Sequence, residues 1–188
     1  MTRNPSASRS QITGEKMVRV LYCDIDGTIR KGKDELGYFV NTADQVQVFD
    51  GVKDLLWRYR VRGWRIVGIS NQGGIALGHL TREDCARAMM ETQKQTGNAF
   101  DKLAWCMHHP SVDLLEMAVC WCRKPKPGLV IETALAMQEQ FDEIYPPHLG
   151  LFVGDREEDE LCAFNAGLLF MDALAWRDGV HAREIGLM

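Results

Sequence analysis

The sequence predicts an α/β fold in which a parallel sheet carries helices on both faces. Two observations lead to this class. Short apolar runs alternate along the chain with segments of helical periodicity, which is typical of parallel strands joined by right-handed crossovers. Polar motifs follow several of the apolar runs directly, and ligands of such folds bind beyond the carboxyl ends of the strands.

Five short apolar runs are predicted strands, and they cover residues 18–23, 65–70, 102–107, 149–153 and 168–171. Four segments with apolar residues at helical spacing are predicted helices, and they cover residues 51–61, 82–95, 128–140 and 157–166. Thr81 is the expected N-cap of the second helix, whereas Gly63 and Gly167 are expected to end the first and the last.

The segments between these elements are predicted to be loops. Residues 29–50 are polar and contain glycine, which indicates a loop or a hairpin flap, and residues 108–127 form a loop rich in Cys, His and Pro. Residues 1–16 are polar and are expected to be disordered, so a single domain is predicted over 17–188. Residues 172–188 are too mixed in composition to assign.

The composition argues against several classes of protein. A chain of 188 residues, of which 46% are hydrophobic, is long enough for one domain with its own core. A net charge of -4 argues against non-specific nucleic-acid binding, and no apolar run approaches the roughly 20 residues that span a membrane. The start of the chain lacks the apolar stretch of a secretory signal. The six cysteines are therefore expected to be reduced thiols in a cytoplasmic protein rather than a disulfide framework.

A pair of carboxylates follows the first predicted strand, in the segment Asp24-Ile25-Asp26-Gly27-Thr28. One carboxylate can attack phosphorus and form an aspartyl-phosphate, while the other can protonate the leaving oxygen and later deprotonate water. Because two carboxylates repel an anionic substrate, this chemistry needs a divalent cation, and Mg²⁺ suits oxygen ligands. Taken alone, such a segment would more often be a strand-end turn with solvated carboxylates.

Three later segments supply the other parts of a phosphoryl-transfer site. Ser70 offers a hydroxyl, and Lys124 offers a fixed positive charge to the phosphoryl oxygens, whereas Lys126 is expected to be a solvated neighbour. Asp155 follows another predicted strand and can complete the metal shell, with Asp159 one helical turn later to support it. The four segments in this order predict a Mg²⁺-dependent phosphatase.

The loop before Lys124 contains a second set of metal ligands. Two close pairs, separated by eleven residues, are formed by Cys106 with His108 and Cys120 with Cys122. Three thiolates and one imidazole are the ligands of a closed, tetrahedral structural Zn²⁺ site. His109 is an alternative to His108, and four unrelated residues are the alternative to a metal site. A zinc ion here would hold the loop that carries Lys124.

These motifs resemble those of the haloacid dehalogenase (HAD) superfamily of phosphatases, over roughly residues 17–171. The resemblance implies a Rossmann-like sheet, with Asp24 as nucleophile and Asp26 as acid/base. It also implies that Mg²⁺ is held by the side chains of Asp24 and Asp155 and by the main-chain carbonyl of Asp26. Larger members carry an inserted cap domain; the segments 29–50 and 71–123 leave no room for one, so no separate cap is expected.

The cysteine loop narrows the resemblance to the phosphatases of D-glycero-D-manno-heptose 1,7-bisphosphate and of histidinol phosphate, and its length favours the heptose type. Gly37-Tyr38 fits the same subgroup. The resemblance implies that substrate is contacted by Thr28, Asn71, Gln72, Gly73 and Arg123. Ile25 between the two acids and Arg156 after Asp155 depart from the usual heptose pattern, which leaves the substrate open.

Three functions are compatible with these residues. The first is hydrolysis of a small phosphorylated metabolite, such as a sugar phosphate or histidinol phosphate, by a monomer that needs no membrane. The second is a polynucleotide 3′-phosphatase, whose nucleic-acid groove would use basic residues near Trp57 and Trp64. Those residues are Arg30, Lys31 and Lys33 in the flap, and Arg58, Arg60, Arg62 and Arg65, although a solvated helix C-terminus also favours the second group. The third is a non-catalytic zinc-stabilised domain, against which the intact acid pair argues.

Overall fold

The structure is a computed structural model, and it describes residues 16–33 and 39–179. The expected disorder of residues 1–15, the Gly37-Tyr38 segment and the unassigned residues 180–188 lie outside the described residues. Lys16, which was expected to belong to the disordered segment 1–16, is part of a strand.

The described chain alternates strands and helices. The strands are β1 (Lys16–Met17), β2 (Val20–Cys23), β3 (Arg30–Gly32), β4 (Val46–Val48), β5 (Arg65–Asn71), β6 (Lys102–Cys106), β7 (Glu143–Ile144), β8 (Leu151–Gly154) and β9 (Leu169–Asp172). The helices are α1 (Val52–Val61), α2 (Arg82–Gln95), α3 (Leu115–Ala118), α4 (Gly128–Phe141), α5 (Glu157–Ala166) and α6 (Ala173–Arg177). Short 3₁₀ turns occupy Ala43–Gln45 and Pro147–Leu149.

A five-stranded sheet in the order β6-β5-β2-β8-β9 forms the centre of the molecule, and every neighbouring pair in it is parallel. Alternate residues of β2 point to opposite faces, as the pleat requires. Leu21 and Cys23 belong to a core that also contains residues of α1, α2 and α6. Val20 and Tyr22 belong to a second core with residues of α4 and α5. The α/β class with helices on both faces is therefore confirmed.

The central position of β2 places the functional edge. The chain runs from β2 to β5 and β6 on one side, and it later adds β8 and β9 on the other. In open parallel sheets, ligands bind outside the carboxyl ends of the strands at such a switch point. The segments that follow β2, β5 and β8 therefore meet at one place.

The five predicted strands and four predicted helices agree with the structure to within two residues at each end. The flap is a hairpin in which β3 and β4 pair antiparallel, and Gln95 of α2 bonds to the main chain of β4. Sequence analysis missed α6, whose five residues are too few to show a period although Ala173 and Trp176 are buried. Over residues 16–33 and 39–179, no helix is both long and apolar enough to cross a membrane.

Candidate active site

Asp24 lies directly after β2, where the sheet ends. Its main-chain N–H donates to Val153 O across the sheet (2.8 Å), and its side chain is buried. The chain then turns sharply at Gly27, which has a φ of 96°. A Cβ at this glycine would overlap the carboxylate of Asp155, so only glycine allows the two acidic segments to approach each other.

Lys124 reaches Asp24 from the far end of the cysteine loop. Its Nζ lies 2.5 Å from Asp24 Oδ1 and 2.6 Å from Asp159 Oδ1, and it also donates to Ile69 O at 3.2 Å. Burial raises the pKa of Asp24 to about 7, although the Lys124 ammonium opposes that shift. Burial would by itself lower the pKa of Lys124, but the two carboxylates outweigh it and raise that pKa.

Three carboxylates converge beside this lysine. One oxygen from each of Asp24, Asp155 and Asp159 lies within 4.8 Å of the others. Asp24 Oδ2 and Asp155 Oδ1 are buried and accept no hydrogen bond from the described residues. Since buried acceptors are normally satisfied, and like charges repel, this arrangement fits a divalent cation with oxygen ligands. Asp159 also accepts from the main-chain N–H of Arg156 (3.2 Å), which suits a supporting role.

Asp26 faces the same edge but contacts a different set of side chains. Arg30 Nε donates to its Oδ1 at 2.8 Å, and Gln72 Nε2 donates to its Oδ2 at 2.5 Å. Ser70 Oγ lies 3.5 Å from the same Oδ2 and accepts from Gln72 Nε2 at 2.8 Å. Ser70 and Gln72, both predicted as site residues, are thus brought onto the second carboxylate.

Asn71 is occupied by the protein itself. Its Oδ1 accepts from Lys124 N (3.0 Å), and its Nδ2 donates to Lys124 O (3.1 Å) and to Glu158 Oε1 (3.3 Å). The side chain therefore clamps the main chain that carries Lys124. Asn71 also lines the cavity, so the substrate contact expected from the resemblance stays a prediction beside this positioning contact.

Thr28 lies in the turn after β2. Its side chain is fully buried, and it does not line the cavity that opens over Asp24 and Asp26. This placement gives no support to the substrate contact expected for Thr28, which stays a prediction.

A cavity of about 540 Å³ opens over the two acids. Its wall contains apolar side chains and several basic ones. The lining residues include Phe39, Val40, Asn41, Ser70, Gln72, Gly73, Leu77, His79, Leu80, His109, Arg123, Arg156 and Glu158. The cavity is large enough for a small phosphorylated molecule.

The predicted zinc ligands are brought together at the carboxyl end of β6. Cys106 Sγ lies 3.6 Å from Cys120 Sγ and 3.4 Å from His108 Nδ1, and His108 Nδ1 lies 3.2 Å from Cys122 Sγ. Tetrahedral zinc with ligands at about 2.0–2.3 Å would separate such atoms by about 3.6–3.8 Å. The observed distances reach this range or lie up to about 0.4 Å below it, and three thiols with one imidazole are zinc ligands, so the four residues could hold a zinc ion. His109 Nδ1 instead accepts from Ser111 N, and its ring faces the cavity.

The cysteine loop packs directly against the site. Arg123 Nη1 donates to His108 O (3.2 Å), and Arg123 also lines the cavity. Gly73 lies against the same loop, because a Cβ there would come within 2.8 Å of His109 Cδ2 and 3.2 Å of His108 O. Lys126 donates to Cys120 O and is otherwise exposed, as predicted for a solvated neighbour.

Arg30 differs from its predicted place among the basic residues of the flap that could bind a nucleic acid. The side chain is fully buried and forms an ion pair with Asp26. In the sequence, this ion pair is indicated only by the position of Arg30 four residues after Asp26. Because Lys31 and Lys33 follow, the segment instead resembles a charged surface.

The arginine cluster lies away from the acids. Arg65 is the first residue of β5, at the amino end of the sheet, and it pairs with Asp101 (3.2 Å) and Glu143 (2.8 Å). Arg60 pairs with Asp101 as well (3.1 Å), and Trp64 is buried. These contacts account for Arg60 and Arg65 without a nucleic acid.

Comparisons with known proteins support the same chemistry. No family model matches the chain. The D-glycero-beta-D-manno-heptose-1,7-bisphosphate 7-phosphatase of Salmonella typhi is 31% identical over 157 residues, which cover 81% of this chain and 78% of that protein. The histidine biosynthesis bifunctional protein HisB of Legionella pneumophila (strain Lens) is 29% identical over 162 residues; they cover 82% of this chain but only 41% of that longer protein.

Solved structures show the same fold. The D,D-heptose 1,7-bisphosphate phosphatase of B. bronchiseptica superimposes with a TM-score of 0.67 at 19% identity, covering 88% of this chain and 99% of that one. The sequence similarity shows the family. The chain therefore belongs to the family of the D-glycero-beta-D-manno-heptose-1,7-bisphosphate 7-phosphatases, and it is a phosphoric monoester hydrolase.

Proposed function

We propose that this phosphatase hydrolyses a small phosphorylated metabolite, a sugar phosphate of the heptose-bisphosphate type, through an aspartyl-phosphate on Asp24. The proposal rests on the contacts of the two oxygens of the Asp24 carboxylate. Its Oδ1 is held by Lys124, while its buried Oδ2 accepts no hydrogen bond from the described residues. Lys124 thus anchors the carboxylate, and the oxygen that does not bind the cation can attack phosphorus.

The remaining residues transfer protons and stabilise the charge on the phosphoryl group. When Asp24 attacks, the P–O bond to the leaving group breaks, and Asp26 gives its proton to the departing oxygen. Asp26 then takes a proton from the water that attacks the aspartyl-phosphate, which releases phosphate and restores Asp24. Ser70 and Lys124 present a hydroxyl and a positive charge to the phosphoryl oxygens.

Magnesium is the cation that we assign to the carboxylate cluster. Asp24, the main-chain carbonyl of Asp26 and Asp155 would hold it, with Asp159 in support. Bound Mg²⁺ would supply neutralisation of the phosphoryl charge. The B. bronchiseptica phosphatase was solved with magnesium and phosphate, which supports this choice.

Zinc is assigned to the cysteine loop, because thiolates and imidazole select it over magnesium. The ligands would be Cys106, His108, Cys120 and Cys122. Its role would be to shape the loop that carries Arg123 and Lys124. Reduced thiols at this site support a cytoplasmic location.

The cavity wall bears on the substrate. Arg123 and Arg156 lie on it and can bind a second anionic group, which favours a bisphosphate. Phe39, Leu77 and Leu80 add an apolar surface, which favours a flatter substrate such as histidinol phosphate as the second candidate. The similarity to HisB supports keeping that candidate.

A panel of substrates tests the proposal. Phosphate release should be measured with heptose and other sugar phosphates, histidinol phosphate and 3′-phosphorylated oligonucleotides, with and without added Mg²⁺. We expect Mg²⁺-dependent turnover that is fastest on a sugar bisphosphate. Much faster hydrolysis of the oligonucleotides, with steep salt dependence, would instead support the polynucleotide 3′-phosphatase.

Two variants separate binding from chemistry. Arg123→Ala should raise KM for the best substrate by about tenfold with little change in kcat, because the guanidinium meets a remote substrate oxygen. Lys124→Ala should lower kcat by about 100-fold or more, because its charge meets the transferring group. The reverse pattern would contradict both assignments.

A further inference from the structure

Arg30 is a fully buried charged side chain in contact with Asp26, and the proposed mechanism does not use it. We infer that Arg30 is a positioning residue that holds the Asp26 carboxylate in the orientation needed for proton transfer. The inference rests on the proposed role of Asp26 as the acid/base.

The two oxygens of Asp26 are held from two separate elements. Arg30 Nε, at the start of β3, donates to Oδ1 at 2.8 Å, and Gln72 Nε2, after β5, donates to Oδ2 at 2.5 Å. Two donors on opposite oxygens fix the plane of a carboxylate as well as its position. Gln72 is tied to the cavity floor through Ser70, so Arg30 supplies the constraint on the other side.

Arg30 is itself held rigidly. Its Nη1 donates to Ala88 O (2.9 Å) and to Thr92 Oγ1 (2.8 Å) on α2. Its main-chain N–H donates to Ile25 O (3.0 Å), and its carbonyl accepts from Gly27 N (2.8 Å). Helix α2 therefore fixes the position of the guanidinium, and the guanidinium fixes the Asp26 carboxylate.

A buried guanidinium is costly, and an apolar side chain of similar volume would fill the same space without that desolvation. The guanidinium supplies an N–H donor directed at Asp26 Oδ1, which an apolar side chain cannot supply. Asp26 must face the leaving oxygen in the first step and a water at nearly the same point in the second. Displacement of a catalytic group by about 1 Å can cost about 100-fold in rate.

The dependence of rate on leaving group tests this. Departure of p-nitrophenolate needs little protonation, whereas departure of a sugar alkoxide needs the proton of Asp26. The ratio of kcat/KM for the best sugar phosphate to kcat/KM for p-nitrophenyl phosphate therefore reports the acid step, since kcat/KM covers only events up to formation of the aspartyl-phosphate.

Asp26→Asn is the reference variant and should lower this ratio by about 100-fold. Arg30→Met, which keeps an unbranched side chain as far as the position of Nε but not the donor, should lower it by about tenfold. Arg30→Lys, which keeps the charge but not the fork, should lower it by several-fold. Thr92→Val removes one of the two contacts of Arg30 on α2 but leaves those with Ala88 O and Asp26, so its ratio should fall less than that of either Arg30 variant.

The outcomes separate the inference from the proposed function. If Asp26→Asn lowers the ratio but neither Arg30 variant does, the positioning role is wrong and the mechanism stands. If Asp26→Asn leaves the ratio unchanged, the acid role of Asp26 fails first. Circular dichroism and zinc content check folding. Should Arg30→Met not fold, Arg30→Lys decides: a wild-type ratio overturns the inference, and a lowered ratio supports it.

Discussion

Replacing Asn71 by alanine should lower kcat rather than raise KM. Both ends of the Asn71 amide bond to the main chain of Lys124, with Oδ1 accepting at 3.0 Å and Nδ2 donating at 3.1 Å. Alanine removes both contacts, together with the longer one to Glu158 Oε1 (3.3 Å), and adds no new group. The main chain at Lys124 then loses its hydrogen bonds to the end of β5, and only the contact of Lys124 Nζ with Ile69 O remains from this lysine to that strand.

The magnitude follows from these two bonds. Lys124 is 3% exposed, so its main-chain N–H would be left without an acceptor in a buried place. Two lost hydrogen bonds, one of which leaves a buried donor unsatisfied, should lower the free energy of unfolding by about 2–4 kcal/mol. Movement of Lys124 Nζ away from Asp24 should lower kcat by about 10- to 100-fold.

Urea denaturation and steady-state kinetics measure the two effects. Asn165→Ala is the matched control, because Asn165 Nδ2 donates to Pro125 O (2.9 Å) on the same loop but is exposed. This control should cost about 0.5–1 kcal/mol and leave kcat within about twofold. Asn71→Asp keeps the acceptor for Lys124 N but sets a carboxylate oxygen against Lys124 O and Glu158 Oε1, so it should destabilise the protein at least as much as Asn71→Ala.

A different result would refute the reasoning. If Asn71→Ala raised KM several-fold with unchanged kcat and stability, the side chain would bind substrate, as the sequence resemblance implied. If Asn165→Ala were as damaging as Asn71→Ala, the loss would reflect general loosening of the loop rather than the clamp on Lys124.

Three further outcomes are expected. Asp24→Asn should abolish turnover in a folded protein, because asparagine cannot attack phosphorus; comparable turnover would exclude Asp24 as nucleophile. The pure protein should hold about one zinc per chain by elemental analysis, and Cys120→Ser should lower both stability and activity. Arg65 first, then Lys16, lowers the pKa of Glu143 to about 2 in the folded protein. That carboxylate therefore stabilises the fold above its unfolded pKa of about 4.5 and loses its effect as pH falls towards 2. The difference in unfolding free energy between wild type and Glu143→Gln should accordingly be constant near pH 7 and narrow from about pH 5 downward; a difference independent of pH would contradict this.

The sequence alone predicted the sheet and its helices, because periodicity, caps and glycine stops are local signals. It also predicted the residues of both clusters that could hold a metal ion, since Asp24, Asp155 and the cysteine pairs lie in short recognisable segments. That these segments meet at the carboxyl edge of the sheet follows from one rule, because parallel strands all end at the same edge.

Only the tertiary structure decided what the neighbouring polar residues do. Asn71 and Lys124 are 53 residues apart, and Arg30 and Thr92 are 62 apart, so no local pattern connects them. Thr28 turned inward and Arg60 and Arg65 met acids at the far end of the sheet, although each reads in sequence as a surface or site residue. The direction in which a polar side chain points, and the partner it finds, depend on which segments the folded sheet brings into contact. These contacts form only when the core packs, so local sequence patterns do not show them.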